Sequence, residues 1–209
     1  AAALAAADAD VLVIVEPTPG LCTALEAAVG AGTYDHRQEA VATDASGIAV
    51  WSRLPVLSGS ISRFEREVSA HVVLQVGEGG VRIVAAHPYP PTLSAKAWRR
   101  QMRHLGASAA DGGADGRPTL IVGDFNASKW HPTFRRLLRC GFTTVHEALG
   151  HPWSGSWPAD RRIPPFVRID HALFGPGIAP TAVRDFRIPG SDHVAFAATF
   201  SVLVTHRSR

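Results

Sequence analysis

Acids, histidines and one amide recur at the points where apolar runs of this chain stop. Glu16 closes VLVIVE and His87 closes VRIVAAH. Asp124 and Asn126 follow TLIVG, Asp170 lies inside RIDHALF between apolar neighbours, and Asp192 and His193 stand just before VAFAATF. A charged group beside a core is expensive unless it is paired or bound to a metal. Strand ends and their adjoining loops are also where rigid scaffolds carry sites. Carboxylate and amide oxygens are hard donors, suited to Mg²⁺ or Mn²⁺. Histidines titrate near neutrality and can donate hydrogen bonds or protons to oxygen. Each residue also has a structural reading: Glu16 as a helix cap, Asp124 as a turn aspartate, Asp170 as the buried partner of an arginine, His87 as a satisfied edge residue. Their recurrence at one kind of place favours a site. His171, one residue past Asp170, should face the other side of its strand, and no role is assigned to it.

The elements that must position these residues can be read from apolar periodicity. Val11–Glu16 is a short run rich in β-branched residues, the pattern of a strand buried on both faces. The Ala-rich opening AAALAAADAD reads as a helix feeding into it. Thr18–Val29 reads as a helix stopped by Gly30, and GIAVWSR from Gly47 as a strand. Glu67–Val76 and Val81–His87 form a hairpin around GEGG. Ser94–Ala110 is a helix with a basic face of Lys96, Arg99, Arg100 and Arg103; Thr119–Val122 is a short buried strand; Thr133–Cys140 is a second basic helix ended by Gly141. A loop rich in Pro, Trp and Arg follows from Gly150 to Pro165, and Arg168–Phe174, Ala182–Ile188 and Val194–Val204 read as strands before the frayed tail THRSR. Strands outnumber helices without strict alternation. That pattern fits an α/β sandwich of two face-to-face sheets with helices outside, in one domain spanning residues 1–209.

Composition narrows the class without naming the substrate. The chain has 209 residues, 46% hydrophobic and 19% charged, which is enough for one folded core. No stretch approaches the ~18 apolar residues of a membrane span. The net charge of +3 tolerates anionic ligands but falls short of a committed DNA binder. Cys22 and Cys140 are too few for a disulfide framework and read as two buried thiols.

Taken in order, GDFNAS, RIDHALF and GSDHVAF closely resemble the endonuclease/exonuclease/phosphatase superfamily, whose fold is DNase I-like. VLVIVE resembles that family's early strand ending in a metal-binding glutamate, and AAHPYPP the strand ending in a catalytic histidine. The resemblance covers Asp10 to Phe200. It implies a four-layered α/β sandwich and Mg²⁺- or Mn²⁺-dependent hydrolysis of phosphodiesters or phosphomonoesters. By motif, Glu16 would bind the metal and Asp192 would contribute to the same region. Asp124 and Asn126 would orient the attacking water and hold the phosphate. His193, held by Asp170, would contact the phosphate and stabilise its developing charge, and His87 would face it from the other side. FEREVSAHVVL resembles the strand whose glutamate supports the first histidine, so Glu67 would pair with His87. Trp157 and Arg162, in the aromatic and basic loop, would contact substrate: nucleic acid, or a lipid headgroup or small phosphate ester.

The chain departs from the family pattern at its start. The family opens with a strand carrying an asparagine that helps bind the metal, and none precedes Glu16 here. The expectation is that the natural protein supplies this strand, in cis or as a separate piece. It would lie beside Val11–Val15, a run that wants neighbours on both edges. Pro-Thr-Pro after Glu16 resembles a bacterial branch whose domain follows membrane helices, which implies an extracytoplasmic or membrane-tethered location and otherwise a monomer. A non-catalytic binding module with a vestigial site is the competing function. It is disfavoured because a non-enzyme has no use for so many polar strand ends.

Overall fold

The structure, a computed structural model, describes residues 1–44, 46–65, 67–112 and 115–203. The expected fraying of THRSR and the last residue of the strand read as Val194–Val204 lie outside the described residues.

Four layers are present. The first is helical: α3 (Pro91–Gly112) and α4 (Pro132–Leu138). The second is a six-stranded sheet in the order β4 (Val56–Phe64), β5 (Glu67–Val76), β6 (Gly79–Ala86), β7 (Thr119–Asp124), β9 (Asp170–Phe174), β8 (Thr143–Thr144). The third holds β1 (Val11–Val15), β3 (Ile48–Ser52) and β2 (His36–Ala40) in the order β1-β3-β2, and the separate pair β10 (Ile178–Arg187) and β11 (Val194–Val202). The fourth is α1 (Ala2–Ala5) with α2 (Pro19–Val29); a one-turn helix α5 (Val145–Ala148) follows β8.

Three apolar clusters bind the layers. Trp98, Met102 and Leu105 of α3 and Phe134 and Leu137 of α4 pack on Val84, Ile121 and Leu173 of the large sheet. The other face of that sheet, through Val72, Leu74, Ile83 and Leu120, meets Ile48 and Val50 of β3 and the half-buried valines of β1. Leu12, Ile14 and Trp51 pack outward against Leu25 and Leu21 of α2. β1 is therefore covered on both faces, as its continuous apolar run requires.

Local signals hold where they are strongest. The Thr18 hydroxyl accepts from the Leu21 N–H at 3.2 Å and caps α2, and Gly30 ends it at φ +86°. The hairpin turn falls on Gly77–Glu78, so Gly79 and Gly80 belong to β6 rather than to the turn. Both cysteines are free, and the buried-thiol expectation fails for each: Cys22 is half-buried and Cys140 exposed. Cys140 lies beyond the Phe134 and Leu137 face with which α4 packs. Among the described residues, no helix is long and apolar enough to cross a membrane.

Candidate active site

Strand direction brings the polar residues together. β6 and β7 run parallel, with Ala86 opposite Gly123, so His87 and Asp124 leave the sheet at the same end. Gly123 makes this approach possible: its φ is +151°, and a Cβ there would sit 1.9 Å from the Ala86 carbonyl oxygen. β9 runs antiparallel to β7 with Asp170 directly opposite Asp124. Directly opposed residues of an antiparallel pair share a face, so the two carboxylates are set toward each other. The buried Ser156 hydroxyl accepts from the Ile169 and Asp170 N–H groups at 3.0 and 3.2 Å and fixes the start of β9.

Two histidines flank the acids. His193 Nδ1 lies 2.8 Å from Asp170 Oδ2, and its Nε2 is 4.0 Å from Asp124 Oδ2. His87 Nε2 approaches the same carboxylate, 3.9 Å from Asp124 Oδ2 and 3.8 Å from Glu16 Oε1. Glu16 ends β1 with a positive φ of +56°, which turns it out of the strand line. The Asn126 N–H donates to Asp124 Oδ1 at 2.7 Å, and its side-chain amide donates to the Pro88 carbonyl at 3.0 Å, tying the β7 exit to the loop after His87. Asp192 accepts from Trp157 Nε1 at 3.2 Å, and its charge acts on Glu16.

The charges are arranged against one another. Burial and the facing Asp170 hold the Asp124 carboxyl well above the usual range. Burial also raises Glu16, with Asp192 and Asp44 pushing it up and His193 pulling it down. For His193, burial opposes the charged ring, but the Asp170 hydrogen bond and the charges of Asp170, Asp124 and Asp192 outweigh it and lift the pKa to about 9. The ring is thus a cation among carboxylates at neutral pH. A set of opposed, partly buried carboxylates is relieved by a hard cation. Ligand atoms of Asp124, Asp170 and His193 lie within 4.8 Å of one another. With Glu16 beside Asp124, the carboxylate oxygens are hard donors that fit Mg²⁺ or Mn²⁺, while the protonated His193 ring is held by Asp170.

One expected placement differs. Glu67 is buried at 2% exposure, and neither carboxylate oxygen has a hydrogen-bond partner among the described residues, so the expected pair with His87 is not formed. Ser69 of β5 stands opposite Ala86 of β6, and alternation places Glu67 on the Ala86 side while His87 turns away from it. Arg162 is exposed in the Pro-rich loop, and no hydrogen bond or ion pair joins it to the cluster among the described residues. His171, given no role, is buried with Nε2 on the Ala127 carbonyl at 2.9 Å and its pKa held down to about 4 by burial, the state of a neutral packing ring. Ser156 was not anticipated, because a serine between a glycine and a tryptophan in an irregular loop carries no periodic signal.

Glu67 yields a stability prediction. Burial lifts its carboxyl from 4.5 to about 8. Between those values the folded protein retains a proton that the unfolded chain has lost, so this residue's contribution to stability falls as pH rises through the window. At pH 7 the penalty is on the order of 3 kcal/mol. Glu67→Gln is expected to melt at the same temperature as the parent near pH 4 and roughly 5–10 °C higher near pH 7. Thermal melts across that range check it, and a pH-independent difference would remove the buried acid as the cause.

A profile of the Endonuclease/Exonuclease/phosphatase family matches residues 1–193. The chain belongs to that family. Its members are phosphoesterases and nucleases. D. rerio TDP2, solved with a single-strand DNA product, superposes with a TM-score of 0.78 at 16% identity, over 96% of this chain and 89% of that one. An endonuclease/exonuclease/phosphatase protein from Beutenbergia cavernae gives 0.75 at 18% identity, over 96% and 64%. A family protein from Bacteroides thetaiotaomicron gives 0.74 at 14% identity, over 95% and 86%. No curated protein matches the chain in sequence. At these identities the structural likeness carries the fold, which is the expected DNase I-like sandwich.

Proposed function

We propose that this chain hydrolyses phosphodiesters with the help of Mg²⁺ or Mn²⁺. The observation that carries the reading is the Asp170–His193 pair at 2.8 Å beside Asp124, with His193 Nε2 and His87 Nε2 at 4.0 and 3.9 Å from the same Asp124 oxygen. Glu16 and Asp170 would hold the cation, with Asp192 near it. Bound there, it would neutralise phosphate charge and polarise the P–O bond. Asp124, its pKa raised, is suited to accept a proton from the attacking water while Asn126 holds that water or a phosphoryl oxygen. The protonated His193 donates to the phosphoryl oxygen on which charge develops, and Asp170 holds the ring in orientation. His87 faces the phosphate from the other side and is placed to donate to the leaving oxygen as the P–O ester bond breaks.

Nucleic acid is the substrate class best supported. Trp130 and Trp153 are 64% and 78% exposed, with ring centroids 6.3 Å apart. Lys129 Nζ lies 5.2 and 4.6 Å from the two rings and is anchored on the Pro152 carbonyl at 2.9 Å. Exposed aromatic faces beside a lysine, here ion-paired with Glu147 at 3.3 Å, suit stacked bases. This platform follows GDFNAS directly in sequence. The D. rerio relative's complex with a single-strand DNA product agrees with that class. The deciding assay measures hydrolysis with Mg²⁺ and with Mn²⁺ of plasmid DNA, single-stranded RNA, a chromogenic bis-phosphate ester and sphingomyelin. Cleavage of a nucleic acid and of the chromogenic diester is expected. Turnover of sphingomyelin alone would transfer the reading to a lipid headgroup, and no turnover of any of them would favour a binding module.

A further inference from the structure

A small cavity of about 90 Å³ opens between the segment after β7, the β8–α5 corner and the loop before β9. Trp130, Trp153 and Phe166 line it, and these are the exposed aromatic side chains among the described residues. Apolar surface gathered at one mouth marks a binding place rather than scatter. Part of the wall behind the aromatics is polar. His171 belongs to it at 3% exposure. Its Nε2 lies 2.9 Å from the Ala127 carbonyl. A carbonyl only accepts, so Nε2 carries the proton and Nδ1 offers a lone pair. That Nδ1 is buried and has no hydrogen-bond partner among the described residues. An unpaired buried acceptor is costly, so this wall suits a ligand that brings a donor. The charges on the wall are already taken up. Lys129 Nζ sits 3.3 Å from Glu147 and 2.9 Å from the Pro152 carbonyl. Arg168 Nη2 and His146 Nε2 lie 2.7 and 3.1 Å from the two oxygens of Asp185. A phosphate or a cation would have to break these pairs. A neutral, planar group with an N–H at its edge would not.

We propose that this cavity takes one unpaired nucleobase of the substrate strand, stacked against the exposed tryptophans and donating an N–H from its base-pairing edge to His171 Nδ1. The proposal rests on the nucleic-acid reading given above and names a subsite for it. Every base carries a donor on that edge, so the subsite tolerates sequence. In a duplex the donor is already occupied, so the subsite selects single strands. The catalytic cluster is close by. Asp124 and Ser128 are four residues apart, at most about 14 Å of extended chain. Arg168 ties the two places together, donating to the Ser154 carbonyl at 3.0 Å and to the Asp170 carbonyl at 3.4 Å. Asp170 and His171 are consecutive in β9 and point to opposite faces of it. A nucleic-acid strand curling over the start of β9 can therefore place a phosphate by Asp170 and a nearby base by His171.

Fluorescence anisotropy in EDTA, where the proposed hydrolysis is silent, measures binding of labelled oligodeoxynucleotides about ten nucleotides long. An adenine oligomer is expected to bind at least ~10-fold tighter than one built on purine, the same ring system without the amino group. It is also expected to bind at least ~10-fold tighter than the same oligomer annealed to its complement. Trp153→Ala should weaken binding of the adenine oligomer by about 10-fold with an unchanged melting temperature, because the ring is largely exposed. His171→Phe keeps a ring beside Phe125 and Phe134 and should bind the adenine and purine oligomers alike. Should that variant not fold, the imidazole nitrogen-15 spectrum of the unaltered chain reads the same contact. The His171 Nδ1 resonance is expected to move with the adenine oligomer and stay with the purine one. Equal affinity for the two oligomers, an unmoved Nδ1 resonance or undiminished binding by Trp153→Ala overturns the proposal and leaves a solvent-filled recess. The subsite and the reaction fail separately. Discrimination without turnover in Mg²⁺ or Mn²⁺ removes the reaction and supports the subsite. Turnover of the chromogenic diester without discrimination removes the subsite alone.

Discussion

Exhaustive chelation is expected to abolish hydrolysis, and Mg²⁺ or Mn²⁺ to restore it. Asp124 and Asp170 are set opposite each other by the β7–β9 register, and Glu16 adds a third carboxyl on the far side of His87. Without a cation, burial first and the neighbouring carboxylates second hold the carboxyls of Asp124 and Glu16 above their ordinary range. Zn²⁺ should substitute poorly, since the donors are mainly hard oxygens and no cysteine belongs to the set. Binding should also stabilise the fold, by about 2.7 kcal/mol at a hundredfold excess over Kd. Because the ligands must be ionised, that gain should be larger at pH 8 than at pH 5. A metal titration followed by both turnover and melting temperature measures the two together. Full turnover in EDTA would refute the mechanism.

His193→Ala and Asp124→Ala should each lower turnover by at least ~10²-fold, the scale of losing a positioned acid–base or charge-stabilising group. The two should differ in their effect on stability. His193→Ala removes a partly exposed ring but leaves Asp170 without its partner, so a modest loss of melting temperature is expected. Asp124→Ala removes a buried carboxyl that the fold disfavours in its ionised form, and the melting temperature at pH 8 without metal should fall little or rise. Turnover losses that merely followed melting temperature in both variants would assign these residues a structural role.

The parts of the fold legible beforehand were those with an apolar signature. β1, β6 and β7 are continuous apolar runs because sheet or helix covers both their faces, and each delivers a polar residue at its end. β2 and β4 escaped notice for the opposite reason. HRQEA is polar or charged at every position but its last, and SGSISRF lies on the exposed outer edge, where solvent rather than a core selects the residues. The acids and histidines could be found because strand ends are few. Their pairing was less accessible. Asp170 with His193 depends on a backbone clamp from Ser156, and Glu67 missed His87 by one step of strand alternation. Aromatic residues in loops are ambiguous in a sequence, so Trp157, on Asp192, was separable from Trp130 and Trp153 only in three dimensions.

One backbone contact governs how this protein can change over generations. His87 and Asp124 stand side by side because Gly123 has no side chain, and a Cβ there would run into the Ala86 carbonyl. Even alanine at position 123 would wedge β6 from β7 and separate the two residues. Loops around the site can exchange tryptophans, arginines and prolines and so explore new substrates. The spacing of its two central groups cannot drift by small steps, since the smallest available step is a methyl group for which there is no room. A saturation library at position 123, sorted on turnover, is expected to return glycine, however freely the surrounding loops diversify.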